Sequence, residues 1–159
     1  MEKIKAIFFD RDNTLIFDKG YMYKIEDLKF FPKTFEVLRE LKTRGYKFFI
    51  FSNQSGIGRG YFEEKDMHRF HAEMEKHFNA EGIEFVEYLF CPHPPVDNCD
   101  CRKPSPKILI EAIKKYNINP NLSYMVGDRQ SDIDAGEGAG LTSILIKEDH
   151  IDEILSKIK

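Results

Sequence analysis

The chain has 159 residues, 42% of them hydrophobic and 32% charged, with a formal net charge of −3. That length suits one domain with a proper core, and the acidic balance argues against general nucleic-acid binding, which shows a basic surplus. No apolar run approaches membrane-spanning length, and Met1-Glu2-Lys3 leads straight into an apolar stretch with no secretory layout, so a cytoplasmic protein is expected, bound to neither nucleic acid nor membrane.

The run 5–9 is predicted to be a buried first strand, ending abruptly in Asp10-Arg11-Asp12-Asn13-Thr14. Segment 16–31 is of mixed polarity, with Gly20, Tyr21 and Tyr23 and no clean period, and reads as a flap over the strand ends. Pro32 suits an N-terminal helical position; Phe35, Leu38 and Leu41 mark the buried face of the helix that follows, and Gly45 its C-cap. The continuous apolar run 46–51 is the second strand, and it gives way to the glycine-rich loop Ser52-Asn53-Gln54-Ser55-Gly56-Ile57-Gly58-Arg59-Gly60. A helix is predicted over 63–80, with Met67, Phe70, Met74 and Phe78 at core spacing. His68, His71 and His77 on it are read as surface or boundary residues, because no carboxylate or cysteine is set with them for metal binding. The third strand, 85–90, reaches Cys91. Ser105 reads as the N-cap, with Pro106 behind it, of a helix lined by Ile108, Leu109, Ala112, Ile113 and Tyr116. The fourth strand, 122–126, ends in Gly127-Asp128; a short helix from about Ser131 leads to a fifth strand, 142–146. Ile151, Ile154, Leu155 and Ile158 mark a last amphipathic helix, expected to dock on the sheet and leave a monomer.

No repeat, low-complexity tract or linker interrupts this order, so a single domain over 1–159 is expected. Alternating strands and helices predict an α/β fold, a three-layer, Rossmann-like parallel sheet with helices on both faces. The loops after four strands then bring Asp10, Ser52, Cys91 and Asp128 to one edge, where open α/β sheets bind ligands. No segment is long enough for a separate cap domain.

Asp10 and Asp12 point to the same side of an extended segment, and two acids that close call for a cation. Alone the pair is a weak signal that an acidic turn after a strand explains equally; the polar residues at the later strand ends favour a site. With Asp128 the two acids can hold a hard divalent cation such as Mg²⁺, which needs only a few carboxylates. A carboxylate can attack phosphorus and form an aspartyl-phosphate, and Asp12 is placed to protonate a leaving oxygen and then to take a proton from the attacking water. Ser52 and Asn53 can donate hydrogen bonds to phosphoryl oxygens, and Lys103 sets positive charge against the transferring group.

Every cysteine of the chain falls in 91–101. Cys91, His93, Cys99 and Cys101 form a C-x-H…C-x-C pattern that supplies a complete tetrahedral zinc set with no open position, hence a structural one. The other readings are free buried thiols or a disulfide, and disulfides are not the natural expectation in the cytosol. The loop carries Pro92, Pro94 and Pro95 and little apolar content to order itself without a metal. Zinc there would place Arg102 and Lys103 at the site.

Four of these motifs together resemble the haloacid dehalogenase superfamily of phosphatases: Asp10-Arg11-Asp12-Asn13-Thr14, Ser52-Asn53-Gln54, Lys103, and Gly127-Asp128-Arg129-Gln130-Ser131-Asp132. The resemblance implies Asp10 as nucleophile, Asp12 as general acid and base, Mg²⁺ held by Asp10, Asp128 and the backbone carbonyl of Asp12, and Asp132 supporting the metal site or Lys103. A zinc loop within this fold is similar to those of two related groups, the heptose 1,7-bisphosphate 7-phosphatases and the histidinol-phosphate phosphatases. Asp18-Lys19-Gly20-Tyr21 and the glycine-rich loop look like the heptose group's segments that contact a sugar bisphosphate. That implies substrate contacts at Asp18, Gly20, Tyr21, Ser52, Asn53, Gln54, Ser55, Arg102 and Lys103. Arg129 stands where the heptose group usually has Lys, keeping the charge but not the geometry. The short spacer from His93 to Cys99 and Gly127-Asp128-Arg129 lean toward the histidinol-phosphate group. Asn13 replaces a glycine usual in both, in a turn that Asn tolerates, and Lys19 stands where the heptose group often has His. Arg59, Arg102 and Arg129 suit a second anion better than a cationic amine, although for Arg59 simple exposure is an equal reading. The expectation is therefore a Mg²⁺-dependent phosphatase that removes the 7-phosphate of a small sugar bisphosphate, with histidinol phosphate as the alternative substrate. A catalytically dead zinc-stabilised binding module is disfavoured by the intact acids, and a nucleic-acid end phosphatase by the charge.

Overall fold

Ala6 and Phe8 of the first strand belong to one apolar cluster, Ile7 and Phe9 to another. Both faces are covered, which is why the run is continuously apolar and not alternating. In the computed structural model, which describes residues 2–159, β1 spans Lys5–Phe9 and is followed by α1 (Thr34–Thr43), β2 (Tyr46–Asn53), α2 (Ser55–Gly58) and α3 (Glu64–Ala80). Then come β3 (Phe85–Cys91), α4 (Lys107–Lys115), β4 (Tyr124–Gly127), α5 (Gln130–Gly138) and β5 (Thr142–Leu145). Met1, where the expected 1–159 domain begins, lies outside the described residues. The five strands are all parallel, in the order β3-β2-β1-β4-β5. Val37, Leu38 and Leu41 of α1 and Phe70, Met74 and Phe78 of α3 fill one face; Leu109 and Ala112 of α4 and Ala135 of α5 fill the other. The fold is the expected three-layer one, with no large cap. Among the described residues no helix is long and apolar enough to cross a membrane.

Three details differ from expectation. The last segment is a 3₁₀ helix, Ile151–Ser156, rather than an amphipathic α-helix; residues three apart eclipse in a 3₁₀ turn, so Ile151 and Ile154 both reach the core, joined by Ile158. It docks on the end of α1, where Arg44 Nη1 donates to the carbonyls of Leu155 and Ile158 at 2.9 and 2.7 Å. Ser105 stands just outside α4, its hydroxyl accepting from the Lys107 N–H at 3.3 Å and donating to the Asp100 carbonyl at 2.7 Å. His71, expected at the surface or boundary, is 5% exposed; it occupies the inner face of α3 beside Phe70 and Met74, where the helical period alone cannot separate a core position from its neighbour.

Candidate active site

Parallel strands present their carboxyl ends to one edge. In this order the connections reverse between β1 and β4, the switch point at which open sheets bind ligands. Asp10 follows β1 and Asp128 follows β4, so their carboxylates flank it. The Asp10 N–H donates to the Val126 carbonyl at 2.9 Å and ties the two strand ends together. Asn13 then turns the chain at φ 65°, in the left-handed region that Asn tolerates.

Lys103 joins the elements of the site. Its ammonium, on a residue 5% exposed, donates to Asp10 Oδ1 at 2.8 Å, to Asp132 Oδ1 at 2.6 Å and to the Phe51 carbonyl at 2.9 Å. Burial works against the ammonium, but the two carboxylates outweigh it and raise its pKa, so Lys103 stays charged. Burial also raises the pKa of Asp10, with Lys103 opposing and Asp132 and Asp12 adding to the rise; such a crowd of acids favours a cation. Asp132 reaches this point because α5 begins immediately after β4. A Cβ on Gly127 would overlap the Asp132 carboxylate, so the glycine lets Asp132 fold back, its Oδ2 accepting from the Arg129 N–H at 3.1 Å.

Carboxylate oxygens of Asp10, Asp128 and Asp132 lie within 4.8 Å of one another. Asp128 Oδ1 is buried without a hydrogen-bond partner. An orphaned oxygen among all-oxygen donors fits a hard cation such as Mg²⁺. The side chain of Asp12 does not join this group; it was expected to contribute its backbone carbonyl, and its carboxylate faces Arg11 at 2.7 Å. Asp132 takes the third carboxylate place.

The phosphate-sized cavity of about 80 Å³ at the strand ends is lined by Asp10, Asp12, Asp18, Asn53, Lys103, Arg129, Ser131 and Asp132. A larger cleft of about 350 Å³ shares Asp12, Asp18, Asn53 and Arg129 with it and adds Gly20, Tyr21, Gln54, Ser55, Gly56, Arg59 and Arg102. Burial lowers the pKa of Arg102; Cys99 opposes this, while Arg59 and Arg129 lower it further. Arg102 therefore feels both other guanidiniums, and an anion among them would relieve that repulsion. Asp18 Oδ1 accepts from the Gly20 N–H at 2.8 Å, closing the flap turn that presents Tyr21. Tyr21 packs edge-on against Tyr61, whereas Tyr23 stacks on Phe62 as packing.

Two expected phosphate donors are otherwise engaged. Ser52 is 2% exposed, its hydroxyl accepts from Gln54 Nε2 at 3.1 Å, and it lines neither cavity. Asn53 spends its amide on the Lys103 backbone, accepting the N–H at 3.0 Å and donating to the carbonyl at 3.4 Å, and so holds the Lys103 loop in place.

The three cysteine sulfurs lie within 4.8 Å of one another. Against expectation, Cys91 and Cys101 are joined as a disulfide, with Cα atoms 5.6 Å apart; Cys99 Sγ stands 3.5 Å from Cys91 Sγ. His93 is absent from the sulfur group: its Nδ1 faces Asp97 Oδ2 at 3.2 Å, a nearer polar partner four residues on in the same loop. The sulfurs fit a thiophilic metal once reduced, but the fourth ligand is not in place. The loop also braces the glycine-rich segment, since the Gly58 N–H donates to the Pro92 carbonyl at 2.9 Å.

The sequence gives Arg11, within the first motif, no role of its own. It is fully buried and grips Asp12 with two nitrogens, Nε to Oδ1 at 2.7 Å and Nη2 to Oδ2 at 3.2 Å. The available signal was its parity: one position from Asp10 and Asp12, it must point the other way, into the protein, where a buried charge requires partners.

Comparison with known proteins agrees with this geometry. A family model described as HAD-hydrolase-like matches residues 100–153. The chain is 41% identical over 150 residues to D-glycero-beta-D-manno-heptose-1,7-bisphosphate 7-phosphatase of Pasteurella multocida (strain Pm70), covering 90% of this chain and 82% of that one. It is 40% identical over 148 residues to D-glycero-alpha-D-manno-heptose-1,7-bisphosphate 7-phosphatase of Campylobacter jejuni subsp. jejuni serotype O:2 (strain ATCC 700819 / NCTC 11168), covering 92% and 85%. Among solved structures, D,D-heptose 1,7-bisphosphate phosphatase from B. bronchiseptica complexed with magnesium and phosphate superposes with a TM-score of 0.86 at 26% identity, covering 97% of this chain and 87% of that one.

Proposed function

Since the chain belongs to the heptose-1,7-bisphosphate 7-phosphatase family of haloacid dehalogenase-like hydrolases and is a phosphatase, we propose that it removes the 7-phosphate of a heptose 1,7-bisphosphate, with residues 1–159 acting as one domain. The observation that carries the substrate is the pair of adjoining cavities. One, at Asp10 and Lys103, accepts the phosphoryl group to be cut; the other, lined by Arg59, Arg102 and Arg129, suits the phosphate that remains. A cationic amine would meet three positive charges there, so histidinol phosphate is not favoured.

In this reading Asp10 attacks phosphorus while the bond from phosphorus to the sugar oxygen breaks. Asp12, protonated, gives its proton to that oxygen, which leaves as the alcohol. Asp12 then takes a proton from water as the water attacks the aspartyl-phosphate, releasing inorganic phosphate and restoring the Asp10 carboxylate. Lys103 holds one Asp10 oxygen in place and faces the developing charge with its ammonium. Asp10, Asp128 and the Asp12 backbone carbonyl would hold Mg²⁺ with Asp132 beside them, and the bound ion would neutralise charge on the phosphoryl oxygens. Asp18, Gly20, Tyr21, Gln54 and Ser55 line the sugar's path, with Ser52 and Asn53 supporting them from beneath. Cys91, Cys99 and Cys101, reduced, would bind structural zinc, with His93 turned from Asp97 as the fourth ligand, and so hold Arg102 and Lys103 on station.

The test is phosphate release with Mg²⁺ from heptose 1,7-bisphosphate and from histidinol phosphate at matched concentrations. A strong preference for the bisphosphate, abolished in Asp10→Asn, is expected. A preference for histidinol phosphate would overturn the substrate, and undiminished activity in Asp10→Asn would overturn the nucleophile.

A further inference from the structure

We propose that Arg11 is a positioning residue that sets the Asp12 carboxyl group for proton transfer, and that His71 holds the Arg11 guanidinium from behind. The inference rests on the reading of Asp12 as general acid and base.

Arg11 makes a two-nitrogen fork on Asp12, and the rest of its guanidinium has partners too. Nη2 also donates to the Met22 carbonyl at 2.8 Å and reaches Gln54 Oε1 at 3.5 Å. Nη1 lies 3.1 Å from His71 Nε2, and the guanidinium carbon sits 4.7 Å from the centre of the Phe70 ring. Arginine only donates, so His71 Nε2 must accept, which makes the ring neutral with its proton on Nδ1. The ring is held by stacking on Tyr88, centroids 4.8 Å apart. Burial first, and then the Arg11 and His68 charges, lower the His71 pKa to about 2, in keeping with a neutral ring; the tautomer follows from Arg11 alone, and it leaves Nδ1 buried without a partner.

The result is a rigid chain from α3 through Arg11 to the one carboxyl group that must change protonation in each half-reaction. Asp12 lines the cavity, and Arg11 reaches both of its carboxylate oxygens. A planar, five-donor fork fixes a carboxylate's orientation, which a lysine ammonium does not. A misplacement of about 1 Å at such a group costs on the order of 100-fold. A buried arginine that merely braced the flap through Met22 would explain the burial but not the two-point grip on Asp12.

The two roles separate by leaving group. An alkoxide leaving oxygen needs a proton in the step that kcat/KM reports, whereas p-nitrophenolate leaves without one. Arg11→Lys is expected to lose roughly 10–100-fold in kcat/KM on heptose 1,7-bisphosphate and only a few-fold on p-nitrophenyl phosphate. His71→Leu, which touches neither substrate nor Asp12, should show the same pattern more weakly and supports the proposal if Arg11→Lys does not fold. Equal losses on both substrates in folded Arg11→Lys and His71→Leu would overturn it. Asp12→Asn is the reference. If it shows the leaving-group pattern and the other two variants do not, Arg11 is structural and the acid assignment stands. If Asp12→Asn itself lacks the pattern, the acid assignment fails and the Arg11 role with it.

Discussion

His71 shows how one buried side chain writes itself into the stability of the whole protein. In the folded chain it is neutral down to about pH 2, because burial and the neighbouring Arg11 and His68 charges resist its protonation. Unfolded, it titrates near its usual value of about 6.5. Below that pH the unfolded state therefore holds one more proton than the folded state, and stability falls as pH falls, by about 1.4 kcal/mol per pH unit from this residue alone. Above 6.5 the contribution is complete and flat. His71→Gln keeps an acceptor for Arg11 without the titration, so its stability should decline less steeply between pH 6.5 and 4.5, by roughly 2–3 kcal/mol over the interval. Urea unfolding at a series of pH values reads the slope, and parallel curves for the two proteins would refute the assignment. The same residue marks a limit of sequence reading. Asp10, Lys103 and Asp128 stand at strand ends or beside a distinctive loop and were legible as chemistry. His71 and Arg11 are 60 positions apart in sequence, and only the packing of α3 on β1 shows that they meet.

At the scale of elements, the junction of β4 and α5 does most to shape the site. The turn from Gly127 to Gln130 carries Asp128 toward the cation site, and the first turn of α5 sends Asp132 back to Lys103. The space for that return is the missing side chain of Gly127. Gly127→Ala should displace Asp132, free one partner of the buried Lys103 ammonium, and cost about 1–3 kcal/mol by overpacking. Activity should fall more than stability suggests, since the nucleophile and Lys103 share that network. Thermal unfolding together with kcat separates these effects, and an alanine variant with unchanged kcat would show that Asp132 does not govern the Asp10–Lys103 pair. The motif Gly127-Asp128 with Asp132 four positions on was visible in the sequence, and so was a helix starting near Ser131. The glycine's reason was not, because it concerns the backward path of a side chain that follows it.

At the scale of the molecule, the order of the strands makes the site, and nothing in a linear pattern states that order. Alternating strands and helices implied a parallel sheet; they did not say that β1 lies between β2 and β4, which alone places Asp10 beside Asp128. The apolar runs were easier, because strands covered on both faces read as unbroken hydrophobic stretches. The final segment differs from the expected amphipathic helix because the three-residue step from Ile151 to Ile154 fits a 3₁₀ turn as well as an α-helical one, and Ile158 lies beyond the 3₁₀ helix. Its role in the core survives that difference: Ile151, Ile154 and Ile158 are all buried in the cluster that α1 and α3 form over one face of the sheet. This predicts a separation of stability from chemistry. Ile154 is fully buried, and it lines neither of the site's two cavities. Truncating it removes packing without touching a group that meets substrate, so Ile154→Ala should destabilise the protein by about 2–5 kcal/mol. For a chain of this size that is a fall in Tm of roughly 5–15 °C. Well below the transition, kcat and KM should remain those of the parent, because the site is anchored through Lys103, Asp132 and Arg11 to β1, β2, β4 and α3 rather than to the last segment. Calorimetry paired with steady-state kinetics at 25 °C reads both quantities, and a large fall in kcat with the fold intact would show that the core under α1 is coupled to the catalytic edge.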